Sequence, residues 1–107
     1  MEIIICDDNL SERSLMIDYI LKWASEKHLE IQINTCKDWM ELAAALEGRE
    51  WDIVIVSLDG VRGLDTAASA QPLSRRLIWI SDLDFGVQAY RMCVSYFFMK
   101  PVSCQKM

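Results

Sequence analysis

The stretch that decides the fold is Trp51-Asp52-Ile53-Val54-Ile55-Val56-Ser57-Leu58-Asp59-Gly60, in the middle of a chain of 107 residues. Its positions 53–56 are all β-branched, and Ser, Asp and Gly follow closely, which predicts a short strand buried on both faces. Such strands lie inside parallel sheets. Because ligands of open parallel sheets bind at the carboxyl ends of the strands, Ser57 and Asp59 are expected to face the functional site.

The composition predicts one globular domain. Apolar residues make up 52% of the chain and charged residues 25%, and no apolar run approaches the roughly 20 residues that span a bilayer. The first residues lack the pattern of a signal peptide, so a cytoplasmic protein without membrane contact is expected. The net charge of −5 argues against direct binding of nucleic acid, since phosphate contacts need clustered Lys and Arg.

The cysteines give no sign of a metal site. Cys6, Cys36, Cys93 and Cys104 are scattered and form no CxxC pair. A cytoplasmic setting disfavours disulfides. We therefore expect reduced and mostly buried thiols, which behave as small core residues.

Strands and helices are predicted to alternate around the central strand. The other strands are Glu2–Cys6, a half-exposed edge strand around Ile31 and Ile33, Leu77–Ser81 and Tyr96–Met99. The helices carry the apolar stripes Met16, Tyr19, Ile20 and Trp23; Trp39, Leu42, Ala43 and Leu46; Leu64, Ala67 and Ala68; and Val87, Tyr90 and Val94 within residues 84–94. Asn9 or Ser11 should cap the first helix and Asp38 the second, which Gly48 should end in a left-handed conformation.

This alternation predicts an α/β fold of the flavodoxin-like, doubly wound type, with a five-stranded parallel sheet in the order 2-1-3-4-5. Only residues 102–107 follow the fifth strand and Lys100-Pro101. The last helix is therefore expected to be truncated or missing. One face of the sheet should be partly bare, or covered by a partner.

Polar residues follow four of the predicted strands. Asp7 and Asp8 follow the first, Ser57 and Asp59 the third, Ser81 ends the fourth, and Lys100 follows the fifth. Adjacent carboxylates suit Mg²⁺, while a hydroxyl and an ammonium group could hold phosphate oxygens.

These elements together resemble the receiver domain of bacterial two-component response regulators. The resemblance rests on Ile5-Cys6-Asp7-Asp8, the buried central strand, Gly60-Val61-Arg62-Gly63-Leu64-Asp65-Thr66-Ala67, Ser81, Ala89-Tyr90 and Phe97-Phe98-Met99-Lys100-Pro101. It is closest to the LytTR-type branch. The resemblance implies that Asp7 and Asp8 hold Mg²⁺, that Ser81 and Phe97 are switch residues, that Lys100 pairs with phosphoryl oxygens, and that the bond between Lys100 and Pro101 is cis.

The departure from the family lies at the phospho-acceptor, where Ser57 occupies the position of the usual aspartate. A serine hydroxyl with no neighbouring base should not accept a phosphoryl group, and any Mg²⁺ at Asp7 and Asp8 should be held weakly. Asp59 is the alternative acceptor. Its carboxylate would be displaced by roughly 7 Å if the strand continued.

The resulting hypothesis is a degenerate receiver domain spanning residues 1–107, without enzymatic activity of its own. It would act through a sensor histidine kinase or another regulatory protein, with a homodimer through its helix 4 and strand 5 face, on a LytTR-type DNA-binding output domain outside this chain. A phosphorylation-competent receiver that uses Asp59 with Mg²⁺ is the alternative. A third reading, a flavodoxin-like binder of nucleotide or flavin, is disfavoured because Asp7 and Asp8 would repel a phosphate after the first strand.

Overall fold

The computed structural model describes residues 1–100, which contain a five-stranded sheet in the order β2-β1-β3-β4-β5. The strands are β1 (Glu2–Cys6), β2 (Gln32–Cys36), β3 (Ile53–Val56), β4 (Leu77–Ser81) and β5 (Tyr96–Met99). All neighbouring pairs are parallel. The predicted flavodoxin-like fold and strand order are confirmed.

Four helices connect the strands: α1 (Leu10–Glu26), α2 (Trp39–Gly48), α3 (Gly60–Ala70), followed by a 3-10 turn at Gln71–Leu73, and α4 (Gly86–Met92). The side chains of Asn9 and Asp38 accept hydrogen bonds from the N–H groups of Glu12 and Glu41, so both predicted helix caps are present. None of the helices within residues 1–100 is long and apolar enough to cross a bilayer.

Several predicted details of the helices are wrong, including the place of Ala68 in the apolar stripe of α3, since Ala68 is exposed. Gly48 does not adopt a left-handed conformation, because α2 passes directly into extended backbone at Arg49, with φ −170°. The apolar stripe of α4 was also misplaced, since Val87 and Tyr90 are 63% and 86% exposed and Ala89 is the buried residue. Ala89 and Met92 of this short helix pack against the core, whereas Val87 and Tyr90 point outward.

The core forms on both faces of the sheet, because successive residues of each strand point to opposite sides. On one face, Ile4, Val54, Val56 and Trp79 pack with residues of α2, α3 and α4. On the other, Ile3, Ile5, Ile55 and Ile80 pack with Met16 and Ile20 of α1. Cys6 and Cys36 are buried free thiols, Cys93 is exposed, and Cys104 lies outside the described residues.

Among residues 1–100, the sheet face that α1 covers is left partly bare, as expected. Within residues 1–100 no helix follows β5. A groove of about 370 Å³ lies beside α1, and its lining includes Tyr19, Trp23, Ile53, Ile78, Tyr96 and Phe98. Trp23 was predicted to face the core, but it is 37% exposed at this groove.

Candidate functional site

The candidate site lies at the carboxyl edge of the sheet, where the pairing of the strands extends one residue beyond β1, β3 and β5. The backbone N–H groups of three site residues donate to carbonyl oxygens of neighbouring strands: Asp7 to Cys36 at 3.0 Å, Ser57 to Cys6 at 2.9 Å, and Lys100 to Ser81 at 2.9 Å. Their backbone positions are therefore fixed by the sheet itself.

Lys100 is the centre of the polar contacts. Its Nζ donates to Asp59 Oδ1 at 2.6 Å, to Glu12 Oε2 at 2.6 Å and to the Ser57 carbonyl oxygen at 3.2 Å. A lysine ammonium has three donors, so each has an acceptor within the protein. Burial lowers the pKa of Lys100, but the hydrogen bonds and negative charges of Asp59 and Glu12 outweigh it, and the pKa is raised above its ordinary value.

Asp59 reaches Lys100 because the chain does not continue as a strand. β3 ends at Val56, and the Leu58 side chain turns into the core with no exposed surface. Asp59 then stands at the N-cap of α3 without making a side-chain capping bond. Its carboxylate binds Lys100 instead, so the displacement expected for an extended chain does not apply.

Gly60 makes this turn with φ +64°, a conformation that L side chains rarely adopt. Its N–H donates to Asp82 Oδ1 at 2.9 Å. The start of α3 is thereby tied to the loop that follows β4.

Asp7 and Ser57 form a buried polar pair, and neither side chain has exposed surface. Asp7 Oδ1 accepts from the Asn9 N–H at 2.9 Å, but within residues 1–100 Asp7 Oδ2 and Ser57 Oγ have no hydrogen-bond partner of ordinary geometry. Burial raises the pKa of Asp7, although the Asn9 N–H, the charge of Lys100 and the nearby Ser57 hydroxyl partly offset it. The Asp7 carboxylate is thus a candidate base for Ser57, but no hydrogen bond of ordinary geometry joins the two side chains, and the expectation that Ser57 lacks a base stays a prediction.

Asp8 has a different environment from Asp7. Its side chain is 49% exposed, and Oδ2 accepts from Arg62 Nη2 at 2.9 Å. Arg62 also contacts the Lys37 carbonyl oxygen at 3.5 Å. The adjacent carboxylates, which the sequence suggested as a pair, are thus separated into one buried group and one surface ion pair.

The donor set fits Mg²⁺ poorly. Within residues 1–100 no group of three or more His, Cys, Asp or Glu side chains is placed to hold a metal ion. Asp7 offers one carboxylate oxygen without a hydrogen-bond partner, Asp8 is paired with Arg62, and Ser57 contributes a neutral oxygen. Mg²⁺ prefers near-octahedral coordination by hard, usually anionic oxygens, so this arrangement favours at most weak binding.

The residues expected to act as switches lie next to the site. Ser81 Oγ donates to Asp82 Oδ1 at 3.4 Å and accepts from the Leu83 N–H at 3.1 Å, so these bonds remain within the loop before α4. The Phe97 ring packs edge-on against Trp79, with ring centroids 5.1 Å apart. Pro101 lies outside the described residues, so the cis peptide bond stays a prediction.

The structure therefore brings four predicted site residues together: Asp7, Ser57, Asp59 and Lys100. It also adds Glu12 and Arg62, which sequence reasoning missed. A signal for Glu12 existed, because it lies in the first turn of the helix that follows β1 and therefore near the carboxyl edge. The contact of Arg62 depends on how α3 docks, for which the sequence gives no comparable pattern.

No protein-family model matches the chain, and no similar curated protein is found. Solved structures do match. TrrA of Thermotoga maritima, a response regulator in complex with Mg²⁺-BeF, has a TM-score of 0.76 at 15% identity, covering 98% of this chain and 90% of that chain. The receiver domain of the sensor histidine kinase PA1611 of Pseudomonas aeruginosa, with magnesium in its active site cleft, has a TM-score of 0.72 at 11% identity, covering 98% and 88%.

A third similar structure is HP1043, an orphan response regulator of Helicobacter pylori, with a TM-score of 0.69 at 18% identity, covering 99% of this chain and 88% of that chain. At such identities the likeness defines the fold. The chain has the α/β, flavodoxin-like fold of receiver domains, without a helix after β5 in residues 1–100.

Proposed function

We propose that this chain is a signal-input domain of a two-component system that works without being phosphorylated. The observation that carries the proposal is the environment of Lys100. Its three donors are bound to Asp59, Glu12 and the Ser57 carbonyl oxygen, so a phosphoryl group would have to displace an internal partner.

The acceptor position supports the same conclusion. Ser57 Oγ is buried without access to solvent, and a phosphodonor must approach the attacking oxygen closely to react. The Asp7 carboxylate beside it could take a proton, but it cannot make the hydroxyl accessible. Burial, rather than the lack of a base, is the reason that Ser57 should be inert.

A conventional receiver that is phosphorylated on Asp59 is the second candidate. In its favour, the Asp59 side chain is 57% exposed and its carboxylate lies 2.6 Å from Lys100. Against it, the carboxylate is held in an ion pair, and the surroundings fit Mg²⁺ poorly. Any Mg²⁺ at Asp7 and Asp8 would be held weakly in either case.

Protein contacts would then carry the signal, with a sensor histidine kinase or another regulatory protein as partner. The exposed side chains of Val87, Tyr90 and Tyr96 support an interface on α4 and β5, which a homodimer could also use. We assign the domain to the cytoplasm. We assign its output to a LytTR-type DNA-binding domain outside this chain, on the resemblance of the sequence alone.

The test is phosphorylation by a small-molecule donor. The protein is incubated with acetyl phosphate and Mg²⁺, and its intact mass is measured beside that of Asp59→Asn. We expect no phosphoryl adduct on either protein. A stoichiometric adduct that Asp59→Asn abolishes would establish the second candidate, and an adduct mapped to Ser57 would contradict both.

A further inference from the structure

We infer that this domain completes its site with its own side chains. At Asp8, Arg62 supplies the positive charge that a divalent cation would bring. At Lys100, Asp59 supplies the anionic oxygen that a phosphoryl group would bring. The inference rests on the proposed function and extends it. It states what holds the site together when neither ion takes part.

Arg62 provides the internal cation. Its guanidinium lies 2.9 Å from Asp8 Oδ2 and 3.5 Å from the Lys37 carbonyl oxygen. It therefore joins the second residue after β1 to the first residue after β2, and it neutralises the more accessible of the two adjacent carboxylates. A metal ion at Asp8 would have to displace it.

Asp59 provides the internal anion. Its carboxylate accepts from Lys100 at 2.6 Å, and Glu12 and the Ser57 carbonyl oxygen bind the remaining donors. Asp59 is more exposed than Glu12, with 57% of its side chain accessible against 38%. Of the two carboxylates, it is the one that a dissolved anion would replace.

Both internal ions come from one short segment, residues 59–62. Within this segment Asp59 binds Lys100 after β5, the Gly60 N–H binds Asp82 after β4, and Arg62 binds Asp8 after β1. The segment thus holds the carboxyl ends of three strands to the start of α3. This arrangement fixes one state of the site, and an external Mg²⁺ or phosphate would have to displace a member of this segment.

Two features hinder Mg²⁺ binding at this site, the Arg62–Asp8 ion pair and the serine at position 57, and they differ in importance. Arg62 and Asp8 form a half-exposed pair, and competition from such a pair weakens a metal site by about fivefold or less. The serine at position 57 removes a carboxylate ligand together with its charge, which is the larger effect. Replacing Ser57 with aspartate should therefore raise the Mg²⁺ affinity more than replacing Arg62 does.

The cation half is tested by calorimetric titration of Mg²⁺ into four proteins: wild type, Arg62→Gln, Ser57→Asp and Ser57→Asp/Arg62→Gln. We expect no measurable binding to wild type or to Arg62→Gln, measurable binding to Ser57→Asp, and binding about two- to fivefold tighter when Arg62→Gln is added to Ser57→Asp. Arg75→Gln in the Ser57→Asp background is the matched control, since Arg75 lies near Asp52 at the other end of β3. It should leave the affinity unchanged.

The anion half is tested by titrating orthophosphate into Asp59→Asn and Asp65→Asn. Each substitution removes one negative charge from residues 59–70, but of the two aspartates it is Asp59 that binds Lys100. We expect phosphate to raise the melting temperature of Asp59→Asn alone. An equal response of both variants would overturn the anion half.

Mg²⁺ binding by wild type as tight as that of Ser57→Asp would overturn the cation half. So would an unchanged affinity on adding Arg62→Gln to Ser57→Asp. The proposed function is decided separately by the acetyl phosphate experiment, because wild type could bind Mg²⁺ and still form no adduct.

Discussion

Replacing Asp7 with asparagine should stabilise the protein at neutral pH. The Asp7 side chain has no exposed surface, and Oδ2 lacks a hydrogen-bond partner. Asparagine keeps the shape and the oxygen that accepts from the Asn9 N–H. It can place an N–H₂ group, a donor, at the position of the carboxylate oxygen that has no hydrogen-bond partner within residues 1–100.

The size of the effect follows from the cost of an unpaired buried group, about 1–3 kcal/mol. Attraction to the Lys100 ammonium reduces this cost in the wild type, so the lower half of the range applies. We expect the free energy of unfolding at pH 7 to rise by about 1–2 kcal/mol. The melting temperature should rise by roughly 4–8 °C for each kcal/mol in a domain of this size.

The pH dependence has a definite sign. The folded-state pKa of Asp7 is raised above its ordinary value of 3.8, so ionisation costs the folded state more than the unfolded state. The cost is complete above the folded-state pKa, fades as the pH falls through it, and disappears below 3.8, where both states are protonated. The advantage of Asp7→Asn should therefore shrink on acidification.

Urea denaturation at pH 7 and at several acidic pH values measures the free energy of unfolding of wild type, Asp7→Asn and the exposed-site control Asp18→Asn. Asp18→Asn should match wild type throughout. If Asp7→Asn is less stable than wild type at neutral pH, or its advantage does not change with pH, the carboxylate is satisfied in the folded protein and our description of the buried pair is wrong.

Two other predictions concern packing and thiol access. A Cβ on Gly63 would lie 1.9 Å from the Leu58 carbonyl oxygen in the loop before α3. Gly63→Ala should therefore lower the free energy of unfolding by about 3 kcal/mol in a urea titration. A Cβ on Gly48 has nothing within 4 Å, so the control Gly48→Ala should not lower it. In labelling with an aromatic disulfide and peptide mapping, Cys93 should react in the native protein, while Cys6 and Cys36 should react only on unfolding. Equal stability of the glycine variants, or native labelling of the buried thiols, would contradict the described packing.

The sheet and the gathering of Asp7, Ser57 and Lys100 could be predicted from the sequence. The β-branched run of β3 has few alternatives to a buried parallel strand. Polar residues immediately after such strands then meet at one edge. These inferences need only local pattern and topology, which is why they agree with the structure.

The side-chain contacts of Asp59 and Arg62 could not be predicted, because they depend on how α3 packs against the sheet. The position of Asp59 follows from Leu58 turning into the core and from the positive φ of Gly60. The contact of Arg62 with Asp8 depends on the placement of α3. For the same reason the buried side of α4 differs from the prediction, since Ala89 and Met92, rather than Val87 and Tyr90, pack against the core.

The most direct test of the central claim is an NMR titration of the ¹⁵N-labelled protein with Mg²⁺ and beryllofluoride, a mimic of a phosphoryl group. If a serine at position 57 together with Asp59 and Arg62 closes the site, the amide signals of Ser57, Asp59 and Lys100 should stay unchanged in the wild type, while those of Ser57→Asp should respond. Saturable shifts of these signals in the wild type would contradict the claim and show a site that accepts an external metal and phosphoryl group.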